Sequence, residues 1–154
     1  MIERVVEKWH AYLRGEGGGG LDELLDDDVV FYSPIVFTPQ RGKAITTLYL
    51  EAASQTLPGD RPSPASVGDG PPASGDDGHL VGRFRYTKTV LSGDTAVLEF
   101  ETTIEGTHVN GVDIIRANDD DRIIEFRVMI RPLQAVNLVH RKMAATLERM
   151  KPAG

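Results

Sequence analysis

The chain contains no cysteine, which excludes disulfide scaffolds, thiolate zinc sites and cysteine nucleophiles together. It has no apolar run near the ~18 residues that a membrane-spanning helix requires. Its opening, Met1-Ile2-Glu3-Arg4-Val5-Val6-Glu7, alternates charge with apolar residues where a signal peptide would carry an unbroken apolar core. Basic clustering is missing too. With 17 Lys and Arg against 23 Asp and Glu, a net charge of −6 and a pI near 5.2, the sequence lacks the basic stripe of a nucleic-acid binder. The expectation is a cytoplasmic protein with no nucleic-acid and no membrane partner. The four histidines, His10, His79, His108 and His140, show no H-x-x-x-H or comparable spacing. The acidic runs at 26–28 and 119–121 lack the alternating ligands of a calcium loop and read as a solvated helix terminus and a turn. Neither a metal nor an organic cofactor is expected.

What is present fits one α+β domain of 154 residues. Ile2, Val5, Val6, Trp9 and Leu13 follow the spacing of one helical face, and the glycines at 15 and 17–20 end that helix. A short helix at 21–25 runs into Asp26-Asp27-Asp28, and the β-branched, aromatic stretch Val29-Val30-Phe31-Tyr32 reads as a strand. Arg41-Gly42-Lys43 precedes a helix from Ala44 to about Leu57. The stretch 58–79 carries five prolines and five glycines with almost nothing apolar. It cannot bury enough surface to offset its ordering entropy, so a long loop is expected there. Strands follow at 84–91, around 96–101, at 109–116 and at 123–130. In the second of these Ala96, Leu98 and Phe100 alternate with Val97, Glu99 and Glu101, as in a strand with one buried face. Pro132 suits the first turn of a closing helix whose face is Val136, Val139, Met143, Leu147 and Met150. Helices first and antiparallel strands afterwards argue α+β rather than alternating βαβ units. Two turns compete to set the register of the 109–116 strand. Asn110-Gly111 is a strong hairpin dipeptide and would put Asp113 just past a turn, whereas a turn around Glu105-Gly106-Thr107 would put it mid-strand.

Helix, short helix, Asp-rich break, strand ending at a proline, Arg-Gly-x-Ala-Ile helix, strands and Gly111-Val112-Asp113-Ile114-Ile115-Arg116 together resemble the ketosteroid-isomerase-like and SnoaL-like branch of the nuclear transport factor 2-like superfamily. The resemblance spans nearly the whole chain and implies a strongly curved, mainly antiparallel sheet wrapped around the N-terminal helices to form a cone-shaped pocket. The steroid isomerases of that family use a carboxylate base after the first strand, a helix-1 tyrosine and a strand aspartic acid held neutral in an apolar site. Asp113 matches the last of these. The base position falls on Ser33, which has no useful basicity near neutral pH. The tyrosine position falls on Trp9, which donates one hydrogen bond but shuttles no proton. Steroid-type isomerisation is therefore not expected. The SnoaL-like version of the chemistry, with a single strand carboxylate, is the nearer resemblance, and it makes Asp113 the candidate catalytic residue.

If Asp113 faces inward, strand parity turns Val109, Gly111 and Ile115 inward with it. The resemblance then adds Phe126, Val128 and Ile130 from the next strand and Ala96, Leu98 and Phe100 from the previous one to a pocket wall that also holds Trp9 and Ser33. Tyr32 and Tyr49 are candidate hydrogen-bonders to a small apolar ligand. In such surroundings burial should raise the Asp113 pKa and let it give or take a proton near neutrality. The competing reading makes Asp113 a structural acid satisfied by an amide or an arginine. On the other face Val112 and Ile114, flanked by Glu99, Glu101, Glu125, Arg116, Arg127 and Arg131, suggest a homodimer through the outer sheet face, unless the C-terminal helix covers that strip. Two functional readings follow: an isomerase, cyclase or dehydratase acting on an apolar carbonyl compound through Asp113, or a non-catalytic ligand-binding or dimerisation module.

Overall fold

A computed structural model describes residues 1–16, 18–59 and 83–150. The elements are α1 (Ile2–Leu13), α2 (Gly20–Leu24), β1 (Leu25–Tyr32), β2 (Gln40–Arg41), α3 (Lys43–Thr56), β3 (Arg85–Ser92), β4 (Thr95–Ile104), β5 (Thr107–Ala117), β6 (Ile123–Arg131) and α4 (Leu133–Met150). The stretch expected to be a long loop falls, from residue 60 to its end, outside the described residues. Its first two residues are held, because Phe84 N–H donates to the Pro58 carbonyl and Gly59 forms a β-bridge with Arg83.

Six strands form one sheet in the order β2-β1-β6-β5-β4-β3. All neighbours are antiparallel except β1 and β6, which run parallel. The period-two reading of β4 is realised along its length: Ala96, Leu98, Phe100, Thr102 and Ile104 are buried and the residues between them are not. The β4–β5 hairpin closes through Glu105-Gly106, with Ile104 opposite Thr107. Both turn residues have positive φ, 50° and 78°, as a two-residue turn matched to sheet twist demands. Asn110 and Gly111 are inside β5, opposite Glu101 and Phe100. Asp113 is therefore mid-strand, between Leu98 on β4 and Val128 on β6.

Two local expectations change. Asp26-Asp27-Asp28 lies within β1 and not at a helix terminus. The β1–β6 register shifts between Leu25 and Val30, and Asp26 there accepts hydrogen bonds from the Asp28 amide and the Asn118 side chain. The irregularity lets charged residues ride on a strand whose flanks, Leu25, Val29 and Phe31, are buried. In α4 the deeply buried face is Ala135, Leu138, Val139 and Thr146, while Val136, Met143, Leu147 and Met150 are half-buried on its flank.

Trp9, Leu21, Leu24, Leu25, Phe31 and Phe126 share one core cluster with the inner faces of β4 and β5, and α4 closes a second with Phe100, Ile104 and Val109. Gly111 is needed for the second cluster. A Cβ there would sit 2.4 Å from Phe100 Cζ and 2.6 Å from the Met129 carbonyl oxygen, so only glycine lets the Phe100 ring lie across β5. Phe100 in turn stacks on Phe84 at 4.9 Å. Among the described residues no helix is long and apolar enough to cross a membrane.

Candidate functional site

Between α1, α3, α4 and the inner face of the sheet lies a cavity of about 630 Å³, within the size range of small-molecule sites. Its outer end is marked by exposed lining residues, Leu13 and Val36. Its inner end reaches Asp113, Trp9 and Phe126, which are buried. Asp113 is the only carboxylic residue among the described residues that line it.

Asp113 is 5% exposed. Its Oδ2 accepts a 2.5 Å hydrogen bond from the Tyr86 hydroxyl, and the Tyr86 oxygen accepts a 2.8 Å hydrogen bond from Trp9 Nε1. Indole, phenol and carboxyl thus form a directed chain, contributed by α1, β3 and β5. Burial pushes the Asp113 carboxyl up from 3.8 to about 7, against the smaller lowering effect of the Tyr86 hydrogen bond. Burial, and then the neighbouring Asp113 charge, push the Tyr86 phenol well above its ordinary value. At neutral pH the tyrosine keeps its proton while the carboxyl sits near its midpoint. A group so poised exchanges protons in either direction with little driving-force penalty. No other described side chain hydrogen-bonds to Asp113, so one carboxyl oxygen is left for a ligand.

His10 flanks this chain. It is half-buried, lines the cavity and stacks on the Tyr86 ring at 5.5 Å with 27° between planes. Its Nε2 is buried without a hydrogen-bond partner. Burial, with the Arg14 charge adding to it, lowers its pKa, so the ring is neutral at pH 7.

Of the residues expected at the site, Asp113, Trp9, Ser33, Tyr49, Phe126, Val128 and Ile130 border the cavity. Ser33 Oγ there accepts the amides of Ile35 and Val36 at 3.0 and 3.2 Å, which makes it a turn-former. Tyr49 stacks on Phe31 at 5.4 Å. Ala96, Leu98, Phe100, Val109 and Ile115 point to the same side of the sheet but are packed into the core and do not border the cavity. Tyr32 faces the other side, where Arg127 Cζ lies 3.8 Å above its ring. Sequence reasoning missed Tyr86 and the contribution of α4. The alternation Arg83-Phe84-Arg85-Tyr86 was the available signal, since it puts the two aromatics on one face of β3. Among the described residues no group of three or more His, Asp or Glu side chains is placed to hold a metal ion.

No protein-family model matches the sequence, and no curated protein sequence matches it. Solved structures do. A steroid Δ-isomerase from Pseudomonas aeruginosa is 26% identical, with 96% of this chain and 92% of that one covered and a TM-score of 0.75. A protein with a cystatin-like fold from Silicibacter pomeroyi is 22% identical over 92% of this chain and 83% of that one, TM-score 0.65. A nuclear transport factor 2-like protein from Mesorhizobium loti is 17% identical over 85% and 91%, TM-score 0.60. The curved six-stranded sheet, the helices filling its concave side and these neighbours together make the chain a member of the nuclear transport factor 2-like superfamily, the fold shared by ketosteroid isomerases and SnoaL-like proteins.

Proposed function

We propose that the chain is a cofactor-independent isomerase, cyclase or dehydratase that acts on an apolar carbonyl compound through Asp113. The observation that carries this is a carboxyl group poised near neutrality at the inner end of a mainly apolar cavity, with one oxygen fixed by Tyr86. In its ionised form Asp113 removes a proton α to the ligand carbonyl. The neutral carboxyl this creates hydrogen-bonds the enolate and returns the proton to it at a second carbon. Tyr86, held by Trp9, fixes the carboxyl orientation and limits its loss of entropy. The likeness to a steroid Δ-isomerase supports carbonyl chemistry, while the turn-forming Ser33 argues against a second base at that position. The test is solvent deuterium incorporation next to the carbonyl of a panel of apolar ketones, with wild type compared with Asp113→Asn. Wild-type exchange that Asp113→Asn loses supports the reading; exchange equal in the two proteins across the panel sinks it.

One observation favours a second reading, ligand holding without turnover. With Ser33 Oγ engaged by two amides, Asp113 has no second carboxylate to pass a proton to along the described wall. In that case Asp113→Asn changes affinity while no exchange appears with either protein.

For assembly, we infer a homodimer through the outer sheet face. Val97, Val112 and Ile114 are half-buried there, and Val90 and Met129 are 51% and 50% exposed. Residue pairs Val90–Val97, Val97–Ile114 and Val112–Met129 face one another across adjacent strands, which makes the apolar strip continuous. The α4 helix packs on the opposite side with Phe100 and Val109 and leaves this strip open. Sedimentation of Met129→Glu should show monomer where wild type shows dimer; a monomeric wild type removes the inference.

A further inference from the structure

The chain carries more acids than bases, 23 against 17, yet its cavity is bordered by three arginines, Arg14, Arg83 and Arg85, and by one carboxyl among the described residues. Two of the arginines have partners: Arg14 Nε lies 2.9 Å from Glu16, and Arg85 Nη2 lies 3.8 Å from Glu101. Arg83 is different. Among the described residues it makes no ion pair, and its Nε is buried without a hydrogen-bond partner. A guanidinium N–H removed from water and left unbonded is costly, and native structures nearly always supply such a donor with an acceptor. The acceptor that best matches its planar fork is a carboxylate, gripped by two parallel N–H bonds.

Arg83 is tied to Gly59 by a β-bridge and leads directly into β3. Three residues further on is Tyr86, whose hydroxyl holds Asp113. Arg83, Tyr86 and Asp113 all border the cavity. Hydrocarbon and aromatic side chains, among them Leu57, Phe84, Val139 and Met143, make up much of the remaining wall. The cavity therefore combines an acid-base group, apolar walls and a cation that is unpaired among the described residues.

Resting on the catalytic reading above, we propose that the ligand is an amphipathic keto acid, with Arg83 holding its carboxylate, its ketone at Asp113 and an apolar chain between the two. The carboxylate anchors and orients the ligand, and the Asp113 end does the chemistry. Such division of labour lets binding energy from a remote, non-reacting group position the reacting one.

Trp9 is the one tryptophan of the chain and borders the cavity, so its fluorescence reports binding. The experiment titrates the full-length protein at pH 6 and low salt with 9-oxodecanoate and with its methyl ester, which differ only in the anionic group. The acid is expected to bind at least about tenfold more tightly, a modest return for one charge-assisted contact. Its advantage should shrink as salt screens the pair, vanish in Arg83→Met and partly return in Arg83→Lys. Equal binding of acid and ester by wild type overturns the keto-acid assignment while leaving the pocket itself standing. So does an acid preference that survives in Arg83→Met. If neither compound binds, by fluorescence or by calorimetry, the pocket reading fails together with the anchor. Should Arg83→Met not fold, the wild-type acid-to-ester ratio and its salt dependence still decide the matter.

Discussion

Replacing Asp113 with asparagine should make the protein more stable than wild type above neutral pH and should progressively lose that advantage in acid. The carboxyl is buried between Leu98 and Val128, and its value in the folded protein, about 7, lies above its ordinary 3.8. Between those two values the folded state keeps a proton that the unfolded state has already released, so wild-type stability falls as pH rises. Each pH unit costs 1.36 kcal/mol, and the whole interval comes to about 4 kcal/mol at most. Water entering the cavity would reduce that figure, and ~2 kcal/mol is still a large share of a typical domain's stability. Asparagine retains an oxygen to accept from Tyr86 and has no charge to desolvate, so its stability should lack this component. The assay is urea denaturation at each pH from 4 to 9, with the difference between variant and wild type plotted against pH; subtraction removes the contribution of every other carboxylate. The difference should grow in favour of the variant between about pH 4 and 7 and level off beyond. A difference that stays flat would mean that Asp113 titrates at the same pH folded and unfolded, and the argument for a desolvated acid would collapse.

Tyr86→Phe removes the hydrogen bond that holds the Asp113 value down, so its midpoint should move above about 7, visible in carboxyl-carbon NMR. The same change strands the Trp9 indole N–H and should cost ~1–3 kcal/mol of stability. Gly111→Ala drives a methyl into Phe100 and the Met129 carbonyl. It should destabilise by ~1–3 kcal/mol, read as a Tm lower by several degrees, and Phe100→Leu in the same chain should recover part of the loss. Phe126→Ala opens the inner wall against which Trp9 packs edge-on at 5.0 Å; a cost of ~3–5 kcal/mol is expected in denaturant titration.

Much of the fold was legible because strand parity is a strict code. The alternation through Ala96, Leu98 and Phe100 identified the buried face of β4, and β5 inherits its facing from that strand once the hairpin is known. The hairpin itself was not decidable from pattern, since Asn110-Gly111 and Glu105-Gly106 are both good turns. What selects the second is tertiary: Gly111 is a glycine to make room for Phe100, a packing requirement with no local signature. Tyr86 escaped notice for a related reason. The β3–β4 register shifts between Tyr86 and Lys88, so the direction of Tyr86 cannot be extrapolated from Val90 and Leu91 further along the strand. The acidic run in β1 misled because a bulge tolerates charge where a regular strand would not.

The parallel pairing of β1 with β6 has a consequence for how the chain assembles. The last four strands form a meander in which each finds its partner within a short span of sequence, so their closure is entropically cheap. Residues 25–32, by contrast, meet 123–131, about two thirds of the 154-residue chain later. During synthesis β1 has no strand of the meander to pair with until β6 has left the ribosome, and its apolar face waits exposed in the meantime. Phe31 waits with β1, while Trp9 lies on α1, which packs on β3, β4 and β5 of the meander beside Tyr86 and Asp113. A protein stalled before β1 docks would hold the Trp9–Tyr86–Asp113 chain without the Phe31 side of its cavity.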